Sequence, residues 1–173
     1  MNKAIILRGP SGCGKSSFAR KLKGGFEKAG AKVVIVSADD FFEKEVEHMI
    51  SGTGQIITTK EYQFDPTKLP EAHQSAFGKF LEALKAKVNV VIADNTFIRL
   101  WEVQNYIKAA EMAGYPVEVY EFRIMTIEEL GNCSQRNIHR VPFDVVARMA
   151  TSFEPLPGAR SIKIGQLLHG VVD

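Results

Sequence analysis

Apolar and polar residues fall along this chain in alternating blocks. Within Lys3 to Arg8, the run Ala4-Ile5-Ile6-Leu7 has the length and continuity of one buried strand. A glycine-rich turn follows, then a helical pattern from Lys15 to about Ala29, closed by Gly30. Val33-Val34-Ile35-Val36 is a second apolar run, ending at Ser37-Ala38-Asp39-Asp40. Asn89 to Ala93 is a third, ending at Asp94, and Val117 to Phe122 is a fourth. Between them Thr67 to Lys87 reads as a helix, because Ala72, Ala76, Phe77, Phe80, Leu81 and Leu84 recur at spacings of three and four. Arg99 to Ala113 is another helix, stopped by Gly114. Thr126 and Glu129 have the spacing of a capping box for a helix running toward Arg136. Val141-Pro142 then breaks the chain, and Phe143 to Thr151 is a short last helix. Phe41 to about Pro66 shows no period and is expected to be irregular, with Ser51-Gly52-Thr53-Gly54 as a mobile loop. The tail from Glu154 reads as loop, with Ser161 to Gly165 as a final edge strand.

Strands that are apolar throughout are covered on both faces, so this order predicts an α/β fold. Three α/β/α layers are expected, around a central, mainly parallel sheet. With no repeat or linker, residues 1–173 read as one domain. Composition adds little: 45% hydrophobic and 24% charged residues are ordinary for a globular protein. A net charge of +2 permits a nucleic-acid partner without arguing for one. Cys13 and Cys133 lie far apart in sequence without metal-ligand spacing, so reduced thiols are expected. The first apolar run is too short for a signal-peptide core, and a cytoplasmic location is the expectation.

Chemistry enters at the first turn. Gly9-Pro10-Ser11-Gly12-Cys13-Gly14-Lys15-Ser16 fits G-x-x-x-x-G-K-[ST], between a strand and a helix. Such a loop turns its N–H groups inward as an anion nest, at the positive end of the following helix. This is the signature of a P-loop NTPase fold, and Ser11, Gly12, Cys13, Gly14, Lys15, Ser16 and Ser17 are the expected nucleotide-binding residues. Lys15 reaches the β- and γ-phosphates, and Ser16 ligates Mg²⁺. Asp94, at a strand end, has the Walker B form and is the second expected metal residue. Asp39, the first acid after another strand, is the expected general base toward an acceptor hydroxyl. Asp40 has two readings, a cap for the next segment and an acceptor contact. Arg136 and Arg140 are four apart, on one face if the helix continues. Such a pair serves either as a solvated surface or as a clamp on phosphates.

Taken in order, these motifs resemble one family. They are Gly9 to Ser16, Ser37-Ala38-Asp39-Asp40-Phe41, Tyr62-Gln63-Phe64-Asp65-Pro66, Leu69-x-x-Ala72-His73, Asp94-Asn95-Thr96 and Arg136-Asn137-x-His139-x-Val141-Pro142. Over roughly residues 3 to 153 the chain resembles the P-loop polynucleotide-kinase group, which includes Nedd4-binding-protein-like kinase domains and phage polynucleotide kinase. The resemblance implies transfer of the ATP γ-phosphate to a hydroxyl, most simply the 5′-OH of RNA or DNA, with Mg²⁺ as the metal. It places the general base on Asp39, and it places catalytic, phosphate-binding arginines on Arg136 and Arg140, in a helical lid over about 126–142. It also gives the preference for ATP. Phe41 and Phe42 depart from the pattern, since the phage enzyme carries an acceptor-binding arginine close behind its base. Phe42, Tyr62, His73 and Asn95 join Asp40 as expected acceptor contacts, with core or lid packing as the other reading of Phe41 and Phe42 and a structural histidine as that of His73. Two further residues have plainer readings: His139 as a surface histidine and Trp101 as packing. A kinase of a nucleoside, modified DNA base or small metabolite is the alternative, as is a non-catalytic ATP-binding switch.

Overall fold

The computed structural model of the chain describes residues 2–165. Five parallel strands form the sheet in the spatial order β2-β5-β1-β6-β7. They are β1 (Lys3–Arg8), β2 (Val33–Val36), β5 (Val90–Asp94), β6 (Val117–Phe122) and β7 (Arg160–Ile162). Because alternate side chains point to opposite faces, β1 divides its apolar run between two cores. Ala4 and Ile6 pack on one face under α2 (Leu69–Lys85) and α3 (Leu100–Met112). Ile5 and Leu7 pack on the other under α1 (Lys15–Lys28), α4 (Ile127–Arg136) and α5 (Phe143–Ser152). The result is the three-layer α/β/α arrangement of a P-loop NTPase. Among the described residues no helix is long and apolar enough to cross a membrane.

Helix ends follow the local chemistry. Thr126 caps α4: its hydroxyl accepts from the Glu129 N–H at 3.1 Å, and Glu129 accepts in return from the Thr126 N–H at 3.2 Å. Gly30 and Gly114 follow α1 and α3 with φ of 85° and 79°, left-handed values that glycine tolerates best. Within α2, Ala72, Ala76, Phe80 and Leu84 are buried as expected, whereas Leu81 is 41% exposed. A 3₁₀ turn at Pro66–Lys68 shortens the expected start of this helix, and the last strand is three residues, beginning at Arg160.

The largest departure lies between β2 and α2. The segment read as irregular folds into an antiparallel hairpin of β3 (Glu43–Met49) and β4 (Ile56–Tyr62). Ser51 to Gly54 is its turn, closed by Ile50 N–H donating to Gln55 O at 2.8 Å. Both strands are largely exposed, so no apolar face marks them. Backbone pairing and polar cross-strand contacts hold them instead, such as His48 Nε2 to Thr59 Oγ1 at 2.8 Å. The hairpin roots beside the sheet, where Gln63 N–H donates to Phe42 O at 2.8 Å.

One buried charge ties the sheet's carboxyl rim together. Arg8, the last residue of β1, is fully buried and meets Glu121 of β6 at 3.0 Å. Its Nη2 donates to Phe97 O at 2.7 Å and to Ile98 O at 3.2 Å, and its guanidinium lies 4.5 Å from the Phe153 ring centre. Glu121 also accepts the Leu156 N–H at 2.7 Å. Burial pulls the Arg8 pKa down, and the Glu121 charge opposes it. Glu121→Ala should destabilise the fold by about 3–5 kcal/mol, because it strands a buried cation. Glu118→Ala, which breaks the part-exposed Lys3–Glu118 pair, should cost less than about 1 kcal/mol. Urea unfolding of the two variants measures the difference.

Candidate active site

The phosphate loop leaves β1 at Gly9 and enters α1 at Lys15. Gly9, Gly12 and Gly14 have φ of 146°, 77° and 100°. Two of these glycines also lack room for a side chain. A Cβ on Gly9 would stand 2.3 Å from Phe122 O, and one on Gly12 would stand 1.9 Å from Cys133 O. The loop is thus pressed between β6 and the backbone of α4. Gly9 N–H donates to Thr96 O at 2.8 Å, which ties the loop to the chain leaving β5. Ser11 Oγ lies 3.7 Å from Met149 Sδ, so α5 also reaches the loop. α4 and α5 thus both touch it.

Lys15 is buried and folds inside this loop, donating to Pro10 O at 2.8 Å with Cys13 Sγ 3.7 Å away. Burial raises the Cys13 thiol above its ordinary range, and it raises Cys133 to about 12. Both thiols therefore stay protonated. Although 120 positions apart, they belong to one core cluster. Ser16 is half-buried, and Ser17 is exposed, accepting from Arg20 at 3.4 Å.

β5 lies between β1 and β2 and brings Asp94 next to this loop. Asp94 is buried, and desolvation raises its carboxyl above the usual range. The Lys15 charge and a hydrogen bond from Ser16 pull it back. Asp39 follows β2 in a 3₁₀ turn, Asp39–Phe41, with its side chain about half exposed. Its N–H donates to Ser37 Oγ at 3.2 Å. The Tyr62 hydroxyl, from the end of β4, donates to Asp39 Oδ1 at 3.0 Å. His139 Nε2 lies 3.4 Å from Asp39 Oδ2, so this histidine is not the plain surface residue expected. Neither contact could be read from the sequence, because the three residues are brought together only by the hairpin and the lid.

Other expected residues sit elsewhere. Phe42 is only 2% exposed and packs with Ala38, Ala72 and Ala76, as its packing reading has it. Asn95 is buried, and its Oδ1 accepts the Ala38 N–H at 2.8 Å, joining the ends of β5 and β2. It is a structural tie in place of an exposed acceptor contact. His73 lines a separate cleft of about 400 Å³ between α2 and α3, with Trp101, Phe97 and Asn105. Trp101 is 69% exposed at this cleft and is not the packing residue expected. Asp40 is exposed along one side yet desolvated enough to raise its carboxyl, with Lys79 opposing.

Arg136 and Arg140 do not share a helical face, because α4 ends at Arg136 and Asn137 leaves it with ψ of 99°. Asn137 instead builds the loop that follows. Its side chain donates to Val141 O at 3.0 Å and accepts the His139 N–H at 3.2 Å. Arg140 is held in the left-handed region at φ 53°. Both arginines are exposed.

Comparison with known proteins agrees with this geometry. The family described as AAA domain matches residues 5–156. The human NEDD4-binding protein 2 is 31% identical over 150 residues, 87% of this chain. The chain spans only 8% of that protein's length. A chain of the Pnkp1/Rnl/Hen1 RNA repair complex shares the fold with a TM-score of 0.58 at 22% identity, covering 92% of this chain and 49% of its own. The Mycobacterium tuberculosis APS kinase CysC in complex with AMPPNP and APS shares it with a TM-score of 0.62 at 13% identity, covering 95% and 90%. The chain shares its fold with both proteins.

The loop's close packing gives a direct test. Gly12→Ala should lower the unfolding midpoint, since its Cβ meets the rigid backbone of α4 at a left-handed φ. Gly24→Ala, with open space around it inside α1, should raise stability by about 0.5–1 kcal/mol. Thermal unfolding of both variants checks the contrast.

Proposed function

This chain belongs to the AAA-domain family, and from that premise we propose that it is an ATP-dependent phosphotransferase acting on a hydroxyl. The observation that carries the reading is the order of three adjacent strands. β2, β5 and β1 end side by side, delivering a half-exposed acid, a buried acid and the phosphate loop to one rim. A nest for phosphates beside an accessible carboxylate is what transfer to a hydroxyl requires.

In this reading Ser11 to Ser17 bind the nucleotide, and Lys15 turns from Pro10 O to the β- and γ-phosphates. Among the described residues no group of three His, Cys, Asp or Glu stands ready to enclose a metal. A P-loop Mg²⁺ needs none, because phosphates and waters complete its shell, and Ser16 and Asp94 fit as the chain's own holders. Bound there, Mg²⁺ neutralises phosphate charge. Asp39 takes the acceptor's proton as the acceptor oxygen bonds to the γ-phosphorus and the bond to ADP breaks. Arg136 and Arg140, from the lid, offset the charge that spreads over the phosphoryl oxygens.

The acceptor we propose is the 5′-OH of a polynucleotide. The ordered motifs from Gly9 to Pro142 support it, together with the fold shared with a chain of the Pnkp1/Rnl/Hen1 RNA repair complex. With labelled ATP and Mg²⁺, label should pass to a 5′-OH oligonucleotide, and Lys15→Ala and Asp39→Asn should abolish transfer. Label reaching nucleosides or small alcohols but never oligonucleotides would reject this acceptor. Arg140→Ala should slow turnover on the order of 10³-fold without moving the unfolding midpoint. Full activity in that variant would assign the arginine to the solvated surface.

A further inference from the structure

Both oxygens of Asp39 are engaged by side chains from distant parts of the chain. Tyr62, at the end of β4, donates its hydroxyl to Oδ1 at 3.0 Å. His139, in the loop between α4 and α5, sets Nε2 3.4 Å from Oδ2. The two rings also pack on each other, with centres 4.1 Å apart and planes 33° apart. Phe42 and Phe64 flank Tyr62 on its other sides, at 5.9 and 6.3 Å. His139 is held in turn by Asn137, whose buried carboxamide fixes the loop at both His139 N and Val141 O.

From this convergence we infer that Tyr62 and His139 are positioning residues that orient Asp39 for proton abstraction, and that His139 makes this orientation depend on the lid. The inference rests on the reading of Asp39 as the base. An ionised carboxylate offers about four lone-pair sites. Tyr62 takes one lone pair on Oδ1, His139 stands beside Oδ2, and the remaining lone pairs are left for the acceptor hydroxyl.

A purely structural role accounts for less of the geometry. The Tyr62 ring is already packed by three aromatic neighbours, so packing alone asks for no hydroxyl. A partly buried hydroxyl needs a partner, and the partner here is the candidate base. Burial and the adjacent Asp39 charge raise the Tyr62 pKa well above its ordinary value, so it remains a donor and does not compete for the proton. The lid link has a separate consequence. The same loop starts after Arg136 and contains Arg140, so the segment proposed to approach the phosphates is also the one that touches the base.

Steady-state kinetics on the full chain, with ATP and a 5′-OH oligonucleotide, test the inference. Tyr62→Phe keeps the ring and removes only the donor; it and His139→Ala should each lower kcat about 10–100-fold. ATP affinity and the unfolding midpoint should stay unchanged, and His139→Gln, which keeps an N–H donor, should recover more of kcat than His139→Ala. Wild-type kcat in Tyr62→Phe and His139→Ala, or losses that track the unfolding midpoint, would overturn the inference. Asp39→Asn, run alongside, separates the two levels. If that variant still transfers phosphate, the base assignment itself falls. If it is dead while the other two are fully active, only the positioning role falls. Proton NMR gives a readout independent of any acceptor. The His139 imidazole resonances, assigned by their loss in His139→Gln, should move in Asp39→Asn and in Tyr62→Phe; resonances unmoved by both reject the contact.

Discussion

The rim on which this site is built depends on a single guanidinium. Arg8 ends β1 immediately before the phosphate loop, and it bonds the chain leaving β5, the side chain of Glu121 on β6 and, through Glu121, the backbone at Leu156. A buried cation is tolerated only when its donors are satisfied and its charge is paired, and here both conditions hold. The cation also constrains direction. With Phe97 O and Ile98 O held from below, the chain after Asp94 passes close to Gly9, whose N–H meets Thr96 O. Loop and buried acid are therefore fixed relative to each other by the Arg8 side chain and by one main-chain contact.

On that rim the two acids are separated by environment more than by distance along the chain. Asp94 is enclosed, and its carboxyl depends on Lys15 and Ser16 to offset the loss of water. Asp39 stands half in solvent, held by groups that bond its oxygens without enclosing it. In the function proposed above, the first holds Mg²⁺ beside the phosphates and the second meets the incoming hydroxyl. The lid spans both territories. α4 presses its backbone on Gly12, and the loop beyond it places His139 against Asp39.

Much of this fold was legible in the residue pattern, for identifiable reasons. The four parallel-sheet strands β1, β2, β5 and β6 are buried on one or both faces, so their apolar runs stand out, and their ends carry the glycines and acids that mark a phosphate site. The capping box at Thr126 and the left-handed glycines after α1 and α3 follow from local geometry alone. The hairpin escaped notice because strands with water on both sides need no apolar alternation. Arg136 and Arg140 would share a face only on a continuous helix, and α4 ends at Arg136, where the Asn137 carboxamide bonds the following loop instead. Arg8 looked like an ordinary strand end, and nothing in its neighbours announces Glu121, more than a hundred positions away.

Local order along the chain was enough to determine the phosphate loop, because its loop-closing glycines, its lysine and its flanking strand and helix are contiguous. It determined as well that acids would follow β2 and β5. Their arrangement around the loop was decided by strand order, since β5 enters the sheet between β1 and β2 although it follows them in sequence. Tertiary structure alone decided what surrounds Asp39. Tyr62 and His139 reach it across 23 and 100 positions, and contacts over such separations arise only once hairpin, sheet and lid have packed. Side-chain chemistry is written residue by residue, but which oxygen meets which donor depends on how those elements close on one another.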